Sequence, residues 1–225
     1  MIPYIACTAR VVVRAAAVIM LTWVSTAVFA AGPQPVNITP GMPNVDVKHA
    51  GKSVTIERNQ DPDNMIDPDF SMTSRPCPPY CVQPMQLGPG VETIGELELI
   101  DYLRKSAEGG ILVIDSRDRD WVLRSGLIPG ATHLPWTELH PGQADPEKIA
   151  ETLILRFGAS RLGSLWNFEN AKTLVMYCNG PWCGQSPTNI KQLLAMGYPA
   201  HKLKWYRGGM QVWKSLGFNT VPIGN

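Results

Sequence analysis

The stretch that decides the fold is Cys178-Asn179-Gly180-Pro181-Trp182-Cys183-Gly184-Gln185-Ser186. The five residues before it, at 173–177, form an apolar run with the length and composition of a buried strand. After it, Ser186-Pro187 is typical of a helix N-cap followed by proline in the first turn, and the apolar residues at 190, 193 and 194 have helical spacing. The sequence therefore predicts a strand, a tight loop and a helix.

The cysteine at the start of this loop is the candidate catalytic residue. A helix start offers unpaired N–H groups and the positive end of the helix dipole. A thiol that faces them ionises more readily, and the thiolate is the reactive form. We therefore predict that Cys178 is catalytic and that residues 179–186 form its active-site loop.

The composition is that of a globular protein without a strong charge. Of the 225 residues, 44% are hydrophobic and 17% are charged, as in folded domains. Lys and Arg number 20 against 19 Asp and Glu, so the net charge is +1 and nothing favours a nucleic-acid partner. The length suits one ordinary domain plus an extension.

Residues 1–30 have the pattern of a signal peptide. Arg10 and Arg14 precede an apolar run at 15–24, and Val28-Phe29-Ala30 suits cleavage after Ala30. The alternative is an uncleaved membrane anchor, because the uncharged run at 15–31 approaches the length of a spanning helix. In both cases we expect an exported, periplasmic protein, which contacts a membrane only if the segment stays uncleaved.

Four cysteines follow this segment, and they are interpreted in an oxidising compartment: Cys77, Cys81, Cys178 and Cys183. The two prolines between Cys77 and Cys81 exclude a helix interior, and we predict a local disulfide there. The alternatives are a redox pair or a cross-link to the other two cysteines. The cysteine spacing does not suit zinc, and the Asp residues at 61–69 lack the Gly and Glu of an EF-hand, so no metal site and no cofactor are expected.

The pattern changes at about residue 90. Residues 31–90 are rich in Pro, Gly and Asp, contain one strand-like piece at 53–57, and are interpreted as an extension without a second core. Residues 91–225 alternate between short strands and helices. We predict strands at 111–115, 131–134, 173–177 and 203–206, helices at 96–105, 119–124, 146–157, 186–197 and 208–216, and a packed insertion at 159–170.

This alternation predicts an α/β fold, with a parallel central sheet and helices on both faces. In such sheets, ligands bind outside the carboxyl ends of the strands. The cysteine loop follows one of these ends.

Three further stretches complete a family pattern: Val113-Ile114-Asp115-Ser116-Arg117-Asp118, Gly126-Leu127-Ile128-Pro129-Gly130-Ala131 with Leu134-Pro135, and Tyr206-Arg207-Gly208-Gly209-Met210-Gln211-Val212-Trp213. With the cysteine loop, they resemble the rhodanese (sulfurtransferase) domain in order and spacing over about residues 91–220. The resemblance implies a single rhodanese-like domain with Cys178 in the position of the family's catalytic cysteine. It also implies that Cys178 takes a sulfane sulfur from a donor such as thiosulfate, carries it as a persulfide and passes it to cyanide or a protein thiol.

Physical reasoning adds expectations for the surroundings of Cys178. The loop can supply a concave row of backbone N–H groups, and we expect Gly180 and Gly184 to provide the positive φ values of such a cradle. Asp115 and Arg117, at the end of a neighbouring strand, are expected to form a structural pair. Arg207 is expected to face the same rim.

The loop departs from the family pattern in two ways. It is two residues longer before the serine, and Gln185 stands where the family has a basic residue, so we expect weak binding of thiosulfate. Cys183 is a second cysteine, either a resolving thiol or a disulfide partner of Cys178. Two functions therefore remain: a sulfurtransferase that uses Cys178, or a thiol–disulfide or partner-binding module in which Cys178 and Cys183 are oxidised together.

Overall fold

The structure is a computed structural model, and it describes residues 34–223. The predicted signal peptide lies outside the described residues. The strands in the described part are β1 (Asn44–His49), β2 (Lys52–Glu57), β3 (Glu92–Ile94), β4 (Ile111–Asp115), β5 (Thr132–His133), β6 (Ser160–Leu162), β7 (Leu165–Asn167), β8 (Thr173–Tyr177) and β9 (Leu203–Tyr206). The α-helices are α1 (Pro68–Ser71), α2 (Glu96–Lys105), α3 (Arg119–Ser125), α4 (Pro146–Glu151), α5 (Gln185–Ala195) and α6 (Gly209–Ser215).

The central sheet has five parallel strands in the order β3-β9-β8-β4-β5. Strand β8 therefore lies in the middle, where Val175 pairs with Val113 on one side and with Lys204 on the other. The prediction of a parallel sheet is confirmed. The near-continuous apolar sequences of β4 and β8 follow from burial of both faces.

Helices cover both faces of the sheet, as predicted. On one face, α4 and α5 bury Ile149, Ile190 and Leu193 in a cluster that also holds Leu174 and Met176 of β8. On the other face, α2 and α6 contribute a second cluster together with Val175 and Tyr177; its helical members are Leu99, Ile100, Leu103, Met210 and Trp213. The alternation of β8 side chains between the two clusters is the period of two expected of a strand.

The fourth helix ends differently from the prediction. Asp145 caps its start, because its side chain accepts a hydrogen bond from the Glu147 N–H at 2.8 Å. The α-helix then gives way to a π-helical turn at Thr152–Arg156, closed by a bond from the Phe157 N–H to the Thr152 carbonyl. The wider turn still buries Leu153 and Phe157, so the apolar spacing that predicted one continuous helix is satisfied by two helix types.

Residues before the sheet pack onto its second face. Strands β1 and β2 form an antiparallel hairpin about a turn at Ala50-Gly51, and β1 has no counterpart in the prediction. The hairpin residues Val47 and Ile56, with Phe70 of α1, belong to the cluster under α2 and α6. The segment therefore shares the core of the sheet, and one compact unit begins at Pro35.

Two other segments differ from the sequence interpretation. Helix α1 forms at the end of the acidic stretch at 61–69, where no helix is predicted, and there Asp67 contacts Lys214 and Asp69 contacts Arg124. The insertion at 159–170 contains the β6–β7 hairpin, which exposes Leu162 and Leu165. No helix within residues 34–223 has the length and apolar character to cross a membrane.

Candidate active site

Cys178 lies directly after the central strand β8, at the carboxyl edge of the sheet. Its side chain is 2% exposed. The hydroxyl of Ser186 donates a hydrogen bond to the Cys178 Sγ at 3.1 Å, and the Trp205 Nε1–H donates to the same hydroxyl oxygen at 3.2 Å. A fixed chain of donors from β9 through α5 thus points at the cysteine sulfur.

Ser186 has a different role from the one predicted. Helix α5 begins at Gln185 with Gly184 before it, so Ser186 lies inside the first turn and is not the N-cap. Its side chain is fully buried, and its hydroxyl bonds to sulfur instead of to a helix N–H. Pro187 is compatible with this position because residues of the first turn need no intrahelical N–H bond.

The donors around Cys178 favour its thiolate. Burial alone would raise the pKa of the thiol, but hydrogen bonds from the side chains of Cys183 and Ser186 and from the backbone N–H groups of Ser186 and Gly180 outweigh it. The pKa of Cys178 is therefore lowered from that of an ordinary thiol. This is the cradle of N–H groups that the strand–loop–helix pattern predicted.

The pKa of Cys183 is shifted in the opposite direction to that of Cys178. Burial, the hydrogen bond to Cys178 and the negative charge of Cys178 raise the pKa of Cys183 well above that of an ordinary thiol. Both cysteines are free thiols in this structure, whereas Cys77 and Cys81 form the predicted disulfide. The loop thus shifts the pKa values of its two thiols in opposite directions, down for Cys178 and up for Cys183.

Backbone hydrogen bonds fasten the loop to the start of α6. The N–H groups of Met210 and Gln211 donate to the carbonyl oxygens of Cys178 and Asn179 at 3.0 and 2.8 Å. Gly209 permits this approach, since its φ is +56° and an added Cβ would lie 2.3 Å from the Cys178 carbonyl oxygen. Gly209, in the family stretch at 206–213, therefore allows the start of α6 to pack directly against the cysteine loop.

The expected positive φ values of Gly180 and Gly184 are wrong. Gly184 has a φ of −89°, and Gly180 is not among the glycines with positive φ. Gly180 instead provides space, because a Cβ there would lie 3.0 Å from the Gln211 Oε1. A tight turn still forms, with the Cys183 N–H donating to the Gly180 carbonyl at 2.9 Å.

Asp115 and Arg117 form a fully buried ion pair with an N–O distance of 2.6 Å. Burial lowers the pKa of Arg117, but the charge and hydrogen bonds of Asp115 more than offset this and raise it. Arg117 also donates to the Ser125 hydroxyl and the Gly126 carbonyl, which joins β4 to the end of α3. Arg207 donates to the Gln83 carbonyl at 2.9 Å, so its guanidinium is directed to the segment before the sheet.

A cleft of about 350 Å³ borders the loop on the side of Cys183. It is lined by Pro79, Tyr80, Asp118, Trp121, Trp136, Asn179, Trp182, Cys183, Gly184, Gln185 and Thr188. Asp118 accepts hydrogen bonds from the Trp136 Nε1–H at 2.9 Å and from the Gln185 side chain. The sequence analysis did not identify four of these residues as site residues: Tyr80, Asp118, Trp121 and Trp136. For Asp118, the position just after the end of strand β4 could have indicated a place at the carboxyl edge of the sheet.

The fold and the cysteine loop define a class of α/β proteins with a cysteine at the carboxyl edge of a parallel sheet. The sequence profile of the rhodanese-like domain matches residues 99–216, more than half of the chain. The protein belongs to the rhodanese-like domain family.

A search of solved structures finds similar chains at low identity. A Rhodopseudomonas palustris protein of unknown function, described as a possible tyrosine phosphatase, is 22% identical over 60% of this chain and 88% of that chain, with a TM-score of 0.42. A human single-domain sulfurtransferase is 20% identical over 55% and 96% of the two chains, with a TM-score of 0.36. An Escherichia coli protein described as a 3-mercaptopyruvate sulfotransferase is 21% identical over 54% and 43%, with a TM-score of 0.37. No curated protein sequence matches the chain.

Proposed function

We propose that the protein is a sulfurtransferase that carries a sulfane sulfur as a persulfide on Cys178. The observation that carries this proposal is the convergence of the Ser186 hydroxyl and the backbone N–H groups of Gly180 and Ser186 on one sulfur atom. These donors stabilise the attacking thiolate. They also suit the anionic persulfide that follows, since both place negative charge on sulfur in the same cradle.

The proposed reaction has two steps. The Cys178 thiolate attacks the outer sulfur of a donor, the bond from that sulfur to the rest of the donor breaks, and the electron pair leaves with the donor remnant. An acceptor thiolate then attacks the outer sulfur of the Cys178 persulfide. The acceptor becomes a persulfide, and Cys178 leaves as a thiolate, so the enzyme returns to its starting state.

The cleft does not suit thiosulfate as the donor. Within the described part of the chain, no Lys or Arg side chain lines it, and its one charged group is the Asp118 carboxylate. Gln185, which replaces the family's basic residue, is held by Asp118 and offers no charge to a dianion. We propose a donor without a dianionic head group.

A second function is favoured by the contact between the two loop cysteines. The pKa of Cys178 is lowered and that of Cys183 is raised, an arrangement that also suits a dithiol in which Cys178 attacks first. In this function the Cys178 thiolate attacks a substrate disulfide, and the Cys183 sulfur then attacks Cys178 to release the second substrate sulfur. The substrate gains two electrons, one proton from Cys183 and one proton from water, and leaves as two thiols, while Cys178 and Cys183 join in a disulfide.

We also propose that the protein acts outside the cytoplasm, in the periplasm. The signal-like sequence at 1–30 and the Cys77–Cys81 disulfide support this location, because structural disulfides persist mainly in oxidising compartments.

Cyanide discharge of the loaded enzyme tests the main proposal. The protein is incubated with a persulfide donor, freed of excess reagent and treated with cyanide, and thiocyanate is measured per chain. Wild type and Cys183→Ser are expected to release about one equivalent, and Cys178→Ser none, because one thiolate accepts one sulfur in this reaction. Equal loss in both variants would instead favour the dithiol function.

A further inference from the structure

The segment just before the sheet is tied to the active-site loop. The Gln83 N–H donates to the Pro181 carbonyl at 2.8 Å, and the Gln83 carbonyl in turn accepts from Arg207 at 2.9 Å. The Cys77–Cys81 disulfide lies two residues earlier. These residues precede the region matched by the family profile, which begins at residue 99.

Tyr80, inside the disulfide loop, contacts the aromatic side chain of the cysteine loop. Its ring meets that of Trp182 edge to face with centroids 5.4 Å apart. Trp182 is itself fixed, because its Nε1–H donates to the Gln211 Oε1 at 2.7 Å and the Arg75 guanidinium lies 4.1 Å from its ring. Tyr80 is therefore held in place as part of the cleft wall.

The cleft presents carbon surface and hydrogen-bond acceptors. Four aromatic side chains line it: Tyr80, Trp121, Trp136 and Trp182. Asn179 also lines it; this side chain is 2% exposed, and its Oδ1 has no hydrogen-bond partner among residues 34–223. An occupant that matches these features has apolar carbon groups and an N–H donor. Inorganic anions have neither.

We propose that this cleft binds the acceptor thiol, that the acceptor is a cysteinyl thiol flanked by amide groups, and that Tyr80 determines this specificity. The inference rests on the persulfide function proposed above and names its acceptor. The cleft reaches Cys183 and Asn179, and the Cys183 carbonyl oxygen lies 3.3 Å from the Cys178 Sγ. The acceptor thiolate attacks the outer sulfur of the Cys178 persulfide, takes that sulfur, and leaves Cys178 as a thiolate.

Transfer rates from the loaded enzyme test this acceptor class. The full chain is loaded on Cys178 and then mixed with one of four acceptors: N-acetylcysteine methylamide, a blocked pentapeptide with a central cysteine, 2-mercaptoethanol or cyanide. Each thiol's rate is divided by its rate with a small aromatic disulfide, which removes intrinsic reactivity. Both amide-flanked thiols are expected to exceed 2-mercaptoethanol at least about fivefold, the effect of one aromatic contact together with one hydrogen bond.

Three variants locate the preference. Tyr80→Ala is expected to raise the KM for the amide-flanked thiols by about threefold to tenfold and to change the cyanide rate much less. Tyr80→Phe keeps the ring and is expected to behave as wild type. Tyr102→Ala is the matched control, since Tyr102 is also a half-buried tyrosine but lies on α2 away from the cleft.

The outcomes separate this inference from the function on which it rests. Failure to load sulfur on Cys178 contradicts the sulfurtransferase itself. Normal loading and normal cyanide discharge, with no preference for amide-flanked thiols or with equal effects of Tyr80→Ala and Tyr102→Ala, overturn the acceptor site alone. If the pentapeptide reacts faster than the blocked cysteine, the acceptor is a cysteine within a protein chain. If the two rates are equal, the acceptor is a small cysteine derivative. Both results support the acceptor site.

Discussion

At the scale of single residues, the site depends on hydrogen bonds that decide where a proton resides. Cys178 and Cys183 are both buried, and burial alone would keep both as neutral thiols. Cys178 differs because Ser186 and backbone N–H groups donate to its sulfur, whereas Cys183 receives less support and lies next to a negative charge. Two identical side chains five positions apart thereby acquire different chemistry.

Ser186→Ala tests this assignment. The substitution removes a donor to the thiolate, so the pKa of Cys178 is expected to rise and the thiolate fraction at neutral pH to fall. Alkylation of Cys178 at pH 7 should slow by roughly twofold to tenfold, the effect of one hydrogen bond of about 0.5–1.5 kcal/mol. The measurement is the alkylation rate of each cysteine against pH, obtained by peptide mass spectrometry.

The same experiment contains its control. Ser215→Ala removes an exposed hydroxyl on α6 and is expected to leave the pH profile unchanged. In wild type, Cys178 should react at lower pH than Cys183. A Cys183 that ionises first would contradict the assignment of the nucleophile.

At the scale of elements, the cysteine loop keeps its shape because the start of α6 docks on it. The docking needs a residue without a Cβ at position 209, where the backbone is left-handed and the Cys178 carbonyl is close. The sequence motif alone marked these glycines as a family pattern. It could not show which of them is left-handed, because that depends on how closely two elements distant in sequence approach each other.

Gly209→Ala is expected to destabilise the protein and displace the loop. The positive φ costs about 1 kcal/mol in any L-residue, and the clash with the Cys178 carbonyl adds about 1–3 kcal/mol. Gly163→Ala is the matched control, since Gly163 has a φ of +62° but nothing within 4 Å of an added Cβ. Urea unfolding measures both; equal losses of stability would show that the close approach to Cys178 is absent.

The sequence predicted regular elements well where the local pattern was strong. The bounds of α2 and β8 agree with the prediction, because apolar spacing and end signals lie within each segment. Strand β1 was missed, since its buried Val47 becomes informative only when paired with Val54 of β2. The cleft was missed for the same reason: Tyr80 and Trp136 come from segments that meet only in the fold.

At the scale of the whole molecule, the residues before the sheet belong to its core. Ile56 of the hairpin and Phe70 of α1 are at most 1% exposed and lie in the cluster that supports α6. Since α6 in turn holds the cysteine loop, the segment at 44–71 stabilises the site from the opposite side of the helix. The composition of residues 31–90 is rich in Pro and Gly, and it does not indicate that a few of the apolar side chains there are buried in the core.

Ile56→Ala is therefore expected to lower the free energy of unfolding by about 2–5 kcal/mol, as for a fully buried residue of a domain core. Ile154→Ala, at a position that is 41% exposed, is expected to cost less than about 1 kcal/mol. Denaturant unfolding followed by tryptophan fluorescence gives both values. If Ile56→Ala leaves the main transition unchanged, the hairpin does not share the core.

The central claim is that Cys178 is the sulfur-carrying residue, and locating the transferred sulfur tests it most directly. The full chain is treated with a persulfide donor at neutral pH, trapped with an alkylating reagent, digested and mapped by mass spectrometry. We expect one added sulfur atom on the peptide at Cys178, in wild type and in Cys183→Ser, with Cys183 unmodified by sulfur in the wild type. Added sulfur on Cys183 alone, or a Cys178–Cys183 disulfide with no added sulfur on either residue, would contradict the account.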